Sequence, residues 1–170
     1  MKKTVILILL SSLFISNTFK AQTTNQNLNS QLQLMRKYFL EGNYKQFASF
    51  VHPEVSKMIG GKAAMIKTTE NVISKMKDDG FSFIDLKFKN PSKFLKKGSE
   101  TQFTITQEIL MKTPKGKILA EYTLIGVSND NKKNWKFIDT SGKSKETMRK
   151  YLPFLSKDLI IKPKTQKFIN

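Results

Sequence analysis

The chain holds one histidine and no cysteine, and that inventory limits its chemistry. Without thiolates there is no disulfide and no Cys-ligated metal, and His52 alone builds no histidine cluster, so neither a metal nor another cofactor is expected. His52 stands in Phe50-Val51-His52-Pro53-Glu54-Val55, where the chain leaves a short helix. A structural cap or turn role is the expectation there, and a base or cavity-lining role is the alternative. The other polar candidates lie on two successive strands, Gln107 and Glu108 on the first, Glu121 and Thr123 on the second. With Pro114-Lys115 as a two-residue loop, Glu108 faces Glu121; with Lys115-Gly116 in a type I turn followed by a bulge, Glu121 faces Ile109. The glycine favours the bulged form. That register brings Glu121 onto the apolar face with Gln107 and Thr123 paired beside it, which yields four candidate cavity polar groups: His52, Gln107, Glu121 and Thr123. An outer-face Glu121 neutralised by lysine is the alternative. No motif forces a reaction, and no catalytic residue is assigned.

These groups must be held by a folded body. The chain is 39% hydrophobic and 25% charged, a mix that supports one domain with a real core and excludes disorder throughout. Residues 1 to 21 stand apart. Lys2-Lys3, the mostly apolar run Val5 to Ile15 and the small residue Ala21 form a secretory signal pattern, although Phe19 occupies a position where a small residue is usual. The pattern predicts export to the periplasm or medium after cleavage near Ala21, and a single domain over residues 22–163 with a C-terminal extension and a basic tail at 164–170. The apolar run is shorter than the about 20 residues that span a bilayer, and no second one follows, so no transmembrane segment is expected in the mature chain.

Removing Lys2, Lys3 and Lys20 takes the formal charge from +17 to +14, and 28 of the 30 basic residues are lysine, the others being Arg36 and Arg149. Base reading and phosphate clamping favour the planar fork of arginine, so this composition argues against nucleic acid. The lysines are spread along the chain, with Lys96-Lys97 and Lys132-Lys133 in expected turns. They read as a solubilising surface, with a functional anion-binding face as the alternative.

Periodicity orders the elements. Gln22 to Asn27 is polar and expected to fray. Leu28, Leu32, Met35 and Phe39 then share one helix face, Gly42 stops that helix, and Asn43 caps a short second one through Tyr44, Phe47 and Phe50, ended by Pro53. After Gly60-Gly61, a third helix carries Met65, Thr69, Val72 and Met76. Beyond Gly80 the period becomes alternating. Strands are expected at Phe81–Lys89, with Ile84, Leu86 and Phe88 on one face, at Thr101–Lys112, Lys117–Ser128 and Asn134–Asp139. Ser144 caps a fourth helix bearing Met148, Tyr151 and Leu152. The predicted class is α+β, with the helices on one face of an antiparallel sheet and a core including Leu32, Met35, Phe39, Phe47, Val72, Met76, Ile105, Leu124 and Trp135.

Three helices followed by a curved antiparallel sheet resembles the NTF2-like superfamily. The residues that carry the likeness are Glu41-Gly42-Asn43-Tyr44, the Phe50–Val55 segment, Gly61-Lys62-Ala63-Ala64-Met65, and Trp135-Lys136-Phe137-Ile138-Asp139, spanning residues 28–140. The resemblance implies a cone-shaped fold with a cavity between helices and sheet, and leaves function open. Isomerases of that superfamily use a Tyr hydrogen-bond donor and a general-base Asp. Here the Tyr position falls on Met35, not Tyr38, and the segment that should hold the base, Val55 to Ile59, has no acid. The leading expectation is therefore an exported non-catalytic module binding a small apolar ligand or a protein partner through its cavity or sheet face. Its alternatives are a cavity enzyme of isomerase or dehydratase type and a lysine-mediated binder of an anionic envelope glycan or lipid. Strand Lys117–Ser128 is apolar on both parities, and the helices cover only one side, so a homodimer packed sheet to sheet is favoured over a monomer covered by its own C-terminal segment.

Overall fold

The computed structural model describes residues 16–169, with side chains described from residue 26. The expected signal run Val5–Ile15 lies outside the described residues. Helix α1 (Ser16–Leu40) is followed by α2 (Tyr44–Phe47), α3 (Pro53–Met58) and α4 (Lys62–Asp78). The strands are β1 (Ser82–Lys89), β2 (Leu95–Lys97), β3 (Glu100–Thr113), β4 (Gly116–Ser128) and β5 (Lys136–Asp139); α5 (Lys145–Tyr151) and β6 (Thr165–Ile169) close the chain. The class is α+β. The six strands form one curved, open antiparallel sheet, in which β3 and β4 are the long central pair. The strands β1 and β2 share the outer edge of β3, and β5 and β6 share that of β4.

Local chemistry sets most boundaries. Asn43 accepts from the Gln46 amide at the start of α2, and Ser144 does the same for Thr147 in α5. Pro53 does more than end a helix, since it also starts α3 from its first position, where its missing N–H costs nothing. Four helices, not three, therefore precede the sheet. Gln22–Asn27 lies within α1; at its end Asn27 bonds Gln31 (2.9 Å) and donates to the Lys133 carbonyl (2.6 Å), contacts that hold a polar turn in place.

One core lies between α1 and the sheet, where Leu28, Leu32 and Met35 meet Phe103, Ile105, Leu124, Trp135 and Phe137. Phe39, Phe47 and Met76 are half-buried, whereas Val72 is exposed (51%). In helix α4 the expected stripe holds at Met65, Thr69 and Met76, but Ile73 rather than Val72 lies inward between them. The parity of β1 also changes. Phe83 pairs with Met111 but Asp85 pairs with Leu110, which leaves Ile84 as the extra residue of a bulge, 44% exposed. The bulge puts Phe83 on the helix side, edge-on to Phe39.

The opposite face carries a second core, Ile125, Val127 and Ile138 packed against Met148, Leu152, Leu155 and Leu159. Helix α5 and the C-terminal segment thus cover this side, so helices occupy both faces and not one as expected. The apolar parity of β4 that motivated a homodimer is covered at Ile125 and Val127 by the chain itself. Beyond that cover the same face turns polar, with Thr104, Thr106 and Glu108 beside Glu121 and Thr123. Two lysine-rich stretches also differ from expectation. Lys96-Lys97 lie in β2 rather than a turn, and the basic tail forms β6, pairing Lys117–Glu121 through Thr165–Ile169. The exposed edge of β4 offers unpaired backbone groups, and that need outweighs the tail's charge.

Candidate functional site

The β3–β4 hairpin decides where the polar candidates point. Thr113 pairs with Gly116, leaving Pro114-Lys115 as a two-residue loop; the Thr113 hydroxyl donates to the Gly116 carbonyl (3.0 Å) and accepts from the Lys115 amide (3.2 Å). The expected bulged register is therefore corrected. Glu108 faces Glu121, Gln107 faces Tyr122 and Thr123 faces Thr106. Because side chains alternate, the one-residue difference leaves Gln107 on the helix side and moves Glu121 and Thr123 to the other. The four sequence candidates do not converge on one cavity. Glu108 is held by Lys89 (2.6 Å), and the Thr123 hydroxyl accepts from the Lys162 amide (3.0 Å).

His52 is the N-cap of α3. Its Nδ1 accepts from the Glu54 amide (3.3 Å), and its ring stacks on Phe154 with centroids 4.8 Å apart. Burial pushes the imidazole pKa below its ordinary value of 6.5, against the pull of Glu100 and Glu54 in the other direction. An Nδ1 that accepts must be unprotonated, so geometry and titration agree on a structural role. The unfolded chain takes up the proton first as pH falls. Stability is therefore full above about pH 6.5 and is lost as pH drops through the lowered folded-state pKa. Because His52 is the sole histidine, its one ring C2–H resonance should titrate with a midpoint below 6.5. A His52→Asn variant should keep the cap and lose this part of the acid sensitivity; equal acid sensitivity in the two proteins would rule out the assigned role.

Asp139, which the sequence candidates missed, stands exposed at the end of β5 on the helix side. Burial pushes its carboxyl up; hydrogen bonds donated by the Ser141 amide (2.6 Å) and Gln107 Nε2 (3.1 Å), together with Lys143, oppose the rise. The available signal was parity, since Asp139 shares the side of Phe137 along β5.

Among the described residues, several cavities follow the C-terminal segment on the outer side of the sheet. One of them has a volume of about 630 Å³ and lies between residues 142–146 and 157–163. Lys143, Lys145, Lys157 and Lys162 line it with Glu146 and Asp158. Among the described residues, ion pairs engage Arg36, Lys57, Lys87 and Lys89 and none of these four lysines. Four lysines around one concavity outnumber its two carboxylates, and the net positive potential is focused by the low-dielectric walls. A second cavity of about 330 Å³ adjoins it at Lys162 and Pro163 and reaches across the sheet to Asn90, Thr106 and Glu121. No helix among the described residues is long and apolar enough to cross a membrane.

Compared with known proteins, the chain matches no protein-family model and no curated protein.

Proposed function

We propose that this chain is an exported, non-catalytic binding module of NTF2-like type whose ligand is an anion, taken up by the lysine-lined groove between residues 142–146 and 157–163. The observation that carries the reading is the convergence of Lys143, Lys145, Lys157 and Lys162 on one 630 Å³ concavity, where they outnumber Glu146 and Asp158 and make no close ion pair among the described residues. An apolar ligand is less well served. At the Trp135 end, Phe94, Phe103 and Trp135 stack edge-on and face-to-face and fill the space between α1 and the sheet. Catalysis lacks a second group. The Asp139 carboxyl is held above its ordinary value, but its hydrogen-bond partners are an amide side chain and a backbone N–H, neither of which titrates. The N-terminal Lys2-Lys3, apolar run and Ala21 support export, and the long helix over an antiparallel sheet supports the superfamily reading.

The test is calorimetric titration of the full chain with inorganic tripolyphosphate. Exposed charge contacts contribute up to about 1 kcal/mol each. The triple variant Lys145→Gln, Lys157→Gln, Lys162→Gln should therefore lose about tenfold or more in affinity, with a salt dependence shallower than that of the unmodified chain. Neutralising Lys67, Lys75 and Lys115, which lie elsewhere, should change little. Equal losses in both triple variants would reduce the effect to net charge and overturn the assigned groove.

A further inference from the structure

The groove continues beyond its lysines, and its chemistry changes as it does so. From Lys162 it passes over the polar part of the sheet into the 330 Å³ cavity, which is lined by Asn90, Thr106, Glu121 and Thr123. A smaller adjoining cavity of about 160 Å³ adds Ser92 and Thr104. Among the described residues the Asn90 amide and the Thr106 hydroxyl make no side-chain hydrogen bond, and the Glu121 carboxylate has only a long one from Thr165 (3.5 Å). Polar groups of this kind facing a concavity, Thr106 and Glu121 on strands of a paired sheet and Asn90 just past the end of β1, are placed to bind something polar.

The mixture of groups indicates what that is. Glu121 repels an anion placed directly on it, so the acidic part of a ligand belongs at the lysine end. A carboxylate is, however, a good acceptor for neutral hydroxyls, and Asn90 and Thr106 each offer a donor and an acceptor. A ligand that presents acid groups to the lysines and a run of hydroxyls to Asn90, Thr106 and Glu121 is an acidic saccharide. We infer that the site takes an acidic oligosaccharide, with its sugar hydroxyls on Asn90, Thr106 and Glu121 and its acid groups on Lys143, Lys145, Lys157 and Lys162. The inference rests on the anion-binding reading above and adds the ligand class and a second set of residues.

The experiment compares three probes on the full chain by calorimetry: a short oligogalacturonate, inorganic tripolyphosphate, and a neutral malto-oligosaccharide of similar length. Two variants are used separately. Asn90→Gly removes the amide and keeps the positive φ of 54° that this position adopts, and Thr106→Val removes the hydroxyl at nearly constant shape. The oligogalacturonate should bind tightest, and either variant should weaken it about tenfold without altering tripolyphosphate binding. Oligogalacturonate binding no tighter than tripolyphosphate, or untouched by both variants, overturns the saccharide inference and leaves the anion site standing. Failure of both anions to bind overturns the two together.

Discussion

Gly126→Ala is expected to destabilise the protein by about 3 kcal/mol, a large part of the about 5–15 kcal/mol that holds a domain of this size. The reason is a ring lying directly on the backbone. A Cβ added at Gly126 would sit 2.0 Å from Cε1 and 2.7 Å from Cζ of Phe103, its cross-strand neighbour on β3. The ring has no room to yield. Phe103 is fully buried, edge-on to Trp135 with centroids at 4.9 Å and to Phe94 at 5.5 Å. The strain must therefore spread into the β3–β4–β5 backbone or eject the aromatic cluster. Denaturant unfolding should show the loss, and thermal unfolding a midpoint lowered by about 10 °C. The double variant Gly126→Ala, Phe103→Leu should be much less destabilised than the sum of its parts, because the smaller side chain removes the clash. Simple additivity would show that the overlap is not the cause.

Gln102→Leu is expected to cost about 3 kcal/mol by a different route, and locally. Gln102 is fully buried on β3. Its Oε1 accepts from the Ser156 amide (2.8 Å), while its Nε2 donates to the Phe154 carbonyl (3.2 Å) and to Glu100 (2.7 Å). Leucine nearly matches its shape but leaves the Ser156 N–H and the Phe154 C=O without partners, at about 1–3 kcal/mol for each buried group. Those two groups tie the C-terminal segment to the sheet. Hydrogen exchange should therefore accelerate around Leu155 and Leu159, while the β3–β4 hairpin keeps its protection. A uniform change across the chain, or none, would reject the tie. Since this segment forms one wall of the lysine groove, anion affinity should fall with the same variant.

Much of this molecule is decided within a few residues of chain, and that part is legible in the sequence. The switch of period at Gly80 separates helices from strands, because a side-chain repeat of 3.6 or 2 follows from backbone geometry alone. Asn43 and Ser144 cap their helices as expected, and His52 has its structural role, since a cap reaches only two or three residues along the chain.

What the sequence left open was decided by contacts between distant residues. A shift of one residue in the hairpin moves Glu121 and Thr123 to the face opposite Gln107. The glycine argument for a bulge was outweighed by the Thr113 hydroxyl closing the turn and by thirteen cross-strand pairs in one unbroken register. The bulge at Ile84 inverted half of β1 because Phe83 gains the aromatic cover of Phe39 on the helix side. The cover of Ile125, Val127 and Ile138 on the second sheet face likewise came from packing, by Met148, Leu152, Leu155 and Leu159. The groove was invisible for the same reason. Lys143 and Lys145 meet Lys157 and Lys162 only because the chain turns after α5 and runs back past its start, and a charge spread evenly along the sequence becomes local only where the fold brings its carriers together.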